Sequence, residues 1–385
     1  MRSYLCAALA LSQALNVTNI NESLCEGRDR YAKAQTAAAP DKKKRGNPMN
    51  KHHFQYDTIK PVATLDDFPK IKGYDYEKNM TEGFDLQAFF ASWKTTGFQA
   101  TNLSRAADII EQMRQDQATI FLSFTSNMIS SGVREAITFL AKHNHVQCIV
   151  TTAGGIEEDV IKLLKPFVLG TFEAPGEQLF NSGVNRTGNI FVPNDRFALY
   201  DIFMQKFLPQ LHEKHKGKSI PTHVFIRELG LAIADLDNKE ESYLYWAAQH
   251  NIPVICPALM DGSTGDLIHF FRQTNKEFTI DVTQDLDLVV KLALNAEKTG
   301  AIILGAGTAK HYVLNANIFH EGLDYAVYIN TAEEYDGSDS GARIDEAITW
   351  GKIKIRVPSI KVHCDATIAF PLLMAMTFAR KKTTE

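Results

Sequence analysis

The chain has no pair of cysteines at metal-binding spacing. Its five cysteines (Cys6, Cys25, Cys148, Cys256, Cys364) are odd in number and far apart, which points away from a zinc site. Cys148, Cys256 and Cys364 sit in apolar runs and read as small buried hydrophobes in a reducing compartment. No run approaches the length of a membrane-spanning helix, so no membrane function is expected. Neither sign of charge dominates. Lys plus Arg number 41 against 45 Asp plus Glu, and a formal net charge of −4 offers no broad nucleic-acid-binding surface. Two phosphate-cradling signatures are also missing. No GxGxxG follows a first strand and no GxxxxGK precedes Ser or Thr, so a dinucleotide would have to be held in another way.

What is present is ordinary in bulk. The 385 residues, 45% hydrophobic and 22% charged, suffice for one large domain or two modest ones. Near the start, Tyr4 to Leu11 follow Arg2 as a short apolar run resembling a signal-peptide core. Asn16-Val17-Thr18 and Asn21-Glu22-Ser23 would serve as glycosylation acceptors in the secretory path. The run is short and equally suits the apolar face of a small helix, and a cytoplasmic protein is expected. Residues 41–50 (DKKKRGNPMN) read as a solvated linker. Residues 1–50 are therefore expected to form an extension and linker, and residues 51–385 the main domain, with Met49 as an alternative start.

Beyond the linker, apolar β-rich runs at 118–124, 147–150, 252–256, 301–304, 325–329 and 360–364 alternate with amphipathic segments such as 132–143. Nearly continuous apolar strands separated by helices predict a parallel sheet covered on both faces. Each run ends in small or polar residues: Thr125-Ser126-Asn127, Thr151-Thr152-Ala153-Gly154-Gly155, Pro257 to Gly262, Gly305-Ala306-Gly307, Asn330-Thr331-Ala332 and Asp365-Ala366-Thr367. One such ending is an ordinary turn. Six on one edge would floor a ligand crevice, with helix starts near 126–131 available to a dinucleotide.

The stretch 330–352 (NTAEEYDGSDSGARIDEAITWGK) carries the clearest chemistry. Its six carboxylates, Glu333, Glu334, Asp336, Asp339, Asp345 and Glu346, lie among small residues including Gly337 and Ser338 and lead to Trp350 and Lys352. Carboxylates pair with ammonium groups, an indole face holds a cation, and a lysine forms an imine with a carbonyl-level carbon. The combination suits a flexible polycation. Two readings stand for Lys352: an exposed lysine, or a nucleophile activated by its surroundings. Asp261 and Asp266 flank a glycine turn after a predicted strand, where local capping explains one aspartate more comfortably than two. Glu157-Glu158-Asp159 open a helix, as the helix dipole favours, beside the Thr-Thr-Ala-Gly-Gly turn. His311 follows the Gly-Ala-Gly turn and is either structural or a base for an amine.

Several long segments occur together in order: 95–102 (TTGFQATN), 125–132 (TSNMISSG), 151–159 (TTAGGIEED), 257–266 (PALMDGSTGD), 325–332 (YAVYINTA), 336–343 (DGSDSGAR) and 346–352 (EAITWGK). In these the chain, from about Gly73 to Ala379, resembles the deoxyhypusine synthases. The resemblance implies one large Rossmann-like α/β domain with a mainly parallel sheet, plus an N-terminal helical extension. It implies NAD-dependent transfer of the aminobutyl group of spermidine to one lysine of the hypusine-bearing translation factor precursor, releasing diaminopropane. Lys352 would carry the imine and His311 would be the base. Glu157, Asp266, Gly337, Ser338, Asp339, Glu346 and Trp350 would line the polyamine channel. Ser126, Asn127, Met128, Ile129, Ser130, Thr152, Ala153, Gly154, Glu158, Asp261, Ala306, Thr331, Ala332, Asp365 and Ala366 would hold NAD. A homotetramer with sites across dimer interfaces is expected on the same ground.

One departure concerns the glycine turn, where family members often carry three glycines and this chain has Ala306, whose methyl would crowd the cofactor. Three rival readings follow from the residues. A homospermidine synthase acting on putrescine would show a His-xxx-Asp signature, and residues 288–298 contain no histidine. A regulatory paralogue would lack the lysine that Lys352 supplies. A plain dehydrogenase would show the missing Rossmann fingerprint.

Overall fold

All six apolar runs become strands of one sheet: β1 (Thr119–Phe124), β2 (Cys148–Val150), β3 (Val254–Ile255), β4 (Thr299–Leu304), β5 (Tyr325–Asn330) and β6 (Ser359–His363). The computed structural model describes Leu65 and residues 67–380. The apolar run at the start, the two acceptor asparagines and the 41–50 linker lie outside the described residues. Among the described residues, those from Phe68 onward form one compact unit.

The sheet order is β3-β2-β1-β4-β5-β6, with every neighbouring pair parallel. Register is tight at the centre, where Thr119 pairs with Thr299 and Phe124 with Leu304. This is the doubly wound order of Rossmann folds, whose ligand crevice opens at the carboxyl edge where the winding reverses. Here the reversal falls between β1 and β4.

Alternation along the strands separates two cores. Ile120, Leu122, Phe124, Ile302 and Leu304 face one side, while Phe121, Ala301, Ile303, Ala326 and Tyr328 face the other. The first face is covered by α1 (Phe98–Gln115), α2 (Val133–Lys142) and α3 (Ala153–Leu164), which supply Ile110, Met113, Ile137, Leu140, Ile156 and Val160. In α2 the buried Val133, Ile137, Leu140 and Ala141 recur at helical spacing. On the same side α4 (Ser263–Phe271) contributes Ile268. The second face is covered by α5 (Thr283–Asn295), α6 (Gly307–Ala316) and α7 (Ile344–Thr349), through Val289, Val313 and Ala347. The last helix, α8 (Ala366–Met376), returns to the first face with Phe370 and Leu373. Both faces are thus covered, as the apolar runs predicted.

A buried ion pair ties α3 to α2. Arg134 Nε donates to Asp159 Oδ1 at 2.6 Å, and Ser242 Oγ and Leu244 N donate to Asp159 Oδ2 at 2.5 and 3.2 Å. With both partners nearly inaccessible, the pair persists only because these hydrogen bonds replace water. An antiparallel three-stranded sheet (Val168–Leu169, Val184–Thr187, Ile190–Pro193) precedes a long helix, Asn194–Lys214. Strands of two to four residues, two of them exposed, are too short to give a periodic run.

Candidate active site

The crevice floor is built from strand ends. After β4 the chain turns through Gly305 at φ 87° and Gly307 at φ 68°, with Ala306 between them at φ −155°. Left-handed backbone favours glycine at the two flanking positions. A Cβ at Gly305 would also stand 2.5 Å from Thr125 Oγ1. Ala306 is in extended backbone that any residue adopts, so the Gly-Ala-Gly departure carries no conformational cost. Asn330 Nδ2 donates to the Gly305 carbonyl at 3.2 Å, and its Oδ1 accepts from Ala332 N at 3.2 Å.

A cleft at this point is lined by Asn127, Met128, Gly305, Ala306, Thr331, Ala332, Asp365 and Ala366. Cys364 also lines it and is half-buried, unlike Cys148 and Cys256, which are fully buried as expected. Ser126 N donates to Thr152 Oγ1 at 3.2 Å, tying the ends of β1 and β2. Ala153 is buried beneath Gly154 at the start of α3, and Met128, Ile129 and Ser130 are buried behind Asn127.

Glu158 stands behind this cleft. Ser130 Oγ donates to its carboxylate. Desolvation pushes the carboxyl up to about 7, with the Glu157 charge adding to the rise and the Ser130 hydrogen bond opposing it. Glu157 takes a different part: its Oε2 accepts from Thr264 N at 2.7 Å and Thr264 Oγ1 at 3.0 Å, and Tyr200 OH lies 2.8 Å from that hydroxyl. Its buried carboxylate therefore caps the first turn of α4. Asp261 and Asp266 are exposed on the turn and first turn around that cap.

Across the reversal point, Lys352 and His311 meet. Lys352 Nζ donates to His311 Nε2 at 3.1 Å and lies 5.7 Å from the centroid of the Trp350 ring. A lysine is exposed by default, but this one is 7% exposed, whereas Trp350 is 67% exposed. Its backbone is fixed too. Lys352 N donates to the Ala347 carbonyl at 3.0 Å and its own carbonyl accepts from Leu323 N at 3.0 Å.

Between β5 and α7 runs the acidic loop. A Cβ on Gly341 would stand 1.5 Å from the Glu333 carbonyl oxygen, so only glycine lets the loop close on its own start. Asp336 Oδ1 accepts from Ser338 N at 2.8 Å beside the left-handed Gly337. Asp339 is half-buried and Glu346 exposed.

Lys352, His311, Trp350 and the acidic loop thus form one group. Glu157, Asp261 and Asp266 form another, following β2 and β3. β3 and β5 are four strand spacings apart, about 19 Å at roughly 4.8 Å each. Two residues with clear geometry here escaped the sequence reading: Lys310 and Lys361. For Lys310 a signal existed, since it shares the apolar 310, 313, 314 stripe of α6 with Val313 and Leu314. Among the described residues no group of three or more His, Cys, Asp or Glu is arranged to hold a metal. No described helix is long and apolar enough to cross a membrane.

Comparison with known proteins joins these observations. The family model described as deoxyhypusine synthase matches residues 88–377. A deoxyhypusine synthase of Musa acuminata is 46% identical over 84% of this chain and 92% of its own. A protein named homospermidine synthase 2, of Senecio vernalis, is 45% identical over 81% of this chain and 90% of its own. A crystal structure of a candidate deoxyhypusine synthase from Entamoeba histolytica superposes with a TM-score of 0.59 at 29% identity, covering 80% of this chain and 97% of that one. With the doubly wound sheet, the Lys352–His311 pair and the acidic loop already in place, these matches establish that the chain belongs to the deoxyhypusine synthase family.

Proposed function

We infer that this chain is a deoxyhypusine synthase, transferring the aminobutyl group of spermidine to a lysine of the hypusine-bearing translation factor precursor. The observation that carries the reading is the buried Lys352 ammonium, 3.1 Å from His311 Nε2 and walled by Trp350 and an acidic loop. An amine placed there finds a base, a cation-holding ring and carboxylates within one group.

NAD fits the crevice on the chain's own features: the reversal point between β1 and β4, the left-handed Gly305 and Gly307, and the Glu158–Ser130 pair behind the cleft. Ser126 to Ser130, Thr152 to Gly154, Glu158, Ala306, Thr331, Ala332, Asp365 and Ala366 are the proposed holders. When bound, NAD supplies a two-electron acceptor that is restored within each cycle. The protein's residues do the remainder. Asp339, Glu346 and Trp350, with Gly337 and Ser338 shaping the loop, hold the polyamine cations. His311 takes the amine proton. His311 returns that proton to the departing 1,3-diaminopropane as Lys352 takes over the four-carbon unit as an imine, the acceptor lysine then displaces Lys352, and the two electrons removed from spermidine reduce the final imine.

Glu157, Asp261 and Asp266 belong to the other flank of the sheet. Their part in the same site is proposed to be played toward a second copy, which supports a homotetramer with sites across dimer interfaces. A cytoplasmic location accords with this reading.

The test is transfer of labelled spermidine to the translation factor precursor with NAD, by the chain and by Lys352→Ala. Label on the factor with the first and none with the second is expected. Label delivered to putrescine and never to the protein would overturn the reading in favour of homospermidine synthesis, the activity named for the Senecio relative.

A further inference from the structure

Two lysines beside the site have no part in the reading above. Lys310, 1% exposed, immediately precedes His311 on α6. Taking an ammonium out of water is costly unless its donors find acceptors. Lys310 Nζ donates to the carbonyls of Asp339 and Ala342, the latter at 3.2 Å. It also lies 3.8 Å from Asp339 Oδ2 and 5.0 Å from the Tyr328 ring centroid. Lys361, half-buried on β6, donates to the carbonyls of Ala332 at 2.9 Å and Gly341 at 2.7 Å. Burial holds both ammonium groups below the usual lysine range.

Four carbonyls of one loop, at 332, 339, 341 and 342, are therefore gathered by two ammonium groups from α6 and β6. The loop's own cross-links are few: Gly337 N to Glu334 O at 3.2 Å, Ala342 N to Asp339 O at 3.3 Å, Ser338 N to Asp336 Oδ1 at 2.8 Å and the exposed Arg343 at 3.4 Å from Glu334. Its carboxylates repel one another, which opposes a closed loop before any polycation arrives. Internal cations offset that repulsion. Because they engage mainly backbone carbonyls, they leave carboxylate oxygens unspent. Asp339 Oδ2 is buried with no hydrogen-bond partner, and the Lys310 ammonium lies 3.8 Å from it.

We propose that Lys310 and Lys361 are positioning residues whose ammonium groups clasp the acidic loop into its polyamine-binding shape and set Asp339 against the His311–Lys352 pair. This rests on the loop's assignment to polyamine binding. Neither lysine touches reacting atoms in this scheme. Their loss weakens spermidine capture more than turnover.

The experiment uses the full chain and its Lys310→Met, Lys361→Met and Lys361→Arg variants. Amide hydrogen exchange across 332–342 needs no substrate, while KM and kcat are read from NAD-dependent diaminopropane release. Lys361→Met should speed exchange in the loop and raise the spermidine KM, each about tenfold, as for loss of a charge-assisted hydrogen bond. Its kcat should stay within about twofold, and Lys361→Arg should restore both readouts. Lys310→Met should exceed these effects. If it fails to fold, Lys361→Met decides alone. A folded Lys361→Met with unchanged loop exchange and KM, or one losing kcat alone, overturns the proposal. If the unaltered chain releases no diaminopropane, the functional reading fails while the exchange measurement still decides the clasp.

Discussion

Two acidic runs of this chain meet opposite fates. Glu157-Glu158-Asp159 turns inward in the second turn of α3, which begins at Ala153 rather than at these acids as the sequence suggests, and each carboxylate there has its own partner: Thr264, Ser130 and Arg134. The loop at 333–346 turns outward. Its internal cations Lys310 and Lys361 are occupied largely with backbone, Glu333 and Glu334 meet only the surface groups His363 and Arg343, and Glu346 presents its carboxylate to solvent. The residue types are alike and both runs border the same crevice edge. A carboxylate whose oxygens are consumed by the fold holds the fold. One whose oxygens remain unspent is available to bind. The comparison therefore predicts losses of stability from the first run and losses of affinity from the second.

The largest effect should come from the most completely consumed acid. Asp159→Asn leaves Arg134 buried without its counter-charge, and breaking such a pair costs about 3–5 kcal/mol. Denaturant unfolding should show that loss as a lower midpoint at unchanged slope. A loss below about 1 kcal/mol would mean that Asp159 is held by nothing more than a surface carboxylate is.

Glu158 lies between the two classes, since it has one partner and a cleft beside it. Its carboxyl titrates at about 7 in the folded chain against an ordinary 4.5, so the folded state binds this proton more tightly than the unfolded state. The associated stability is fully present below pH 4.5 and is lost as pH rises through about 7, on the order of 3 kcal/mol. Unfolding of the unaltered chain and of Glu158→Gln, compared from pH 4.5 to 8, should isolate this slope, which the glutamine removes. Parallel pH dependence in the two proteins would place the proton elsewhere.

This contrast also marks how far the sequence could be read. The six strands were legible because continuous Val, Ile, Leu and Phe runs have few alternatives to a doubly covered parallel sheet. Each boundary fell within two residues or so of the observed one, as between residues 252–256 and Val254–Ile255. The acidic loop was legible because six carboxylates punctuated by glycine have no ordinary place in a core. Partnerships were not legible, because they depend on residues distant in the chain. Nothing local says that Glu157 reaches Thr264, 107 positions on, or that Lys352 is buried against His311. Lys310 was passed over because a lysine is expected at the surface, although its place on an apolar stripe said otherwise. The three-stranded antiparallel sheet was missed because its strands are only two to four residues long and two of the three are exposed.

On the binding side, Glu346→Gln should leave the unfolding midpoint unchanged and raise the spermidine KM about tenfold, the scale of one hydrogen bond to a charged group. Added salt should shrink the difference between the two proteins, since the lost interaction is between exposed charges. A fallen midpoint with an unaltered KM would move Glu346 into the class of Asp159 and remove the distinction drawn between the runs.

The smallest effect should come from Trp350, which sharpens the comparison because it is neutral. Its ring is largely open to solvent with the Lys352 ammonium 5.7 Å from its centroid, and an exposed cation–π contact contributes about 0.5–1 kcal/mol. Trp350→Phe keeps a π face and should alter spermidine capture by less than about twofold, whereas Trp350→Ala should weaken it by about three- to fivefold. If the ring served only to cover Lys352, the two substitutions would differ in kcat through the lysine and not in KM. A graded effect on KM, in the order Trp, Phe, Ala, would instead assign the ring to the polyamine and place it with the unspent carboxylates of the loop.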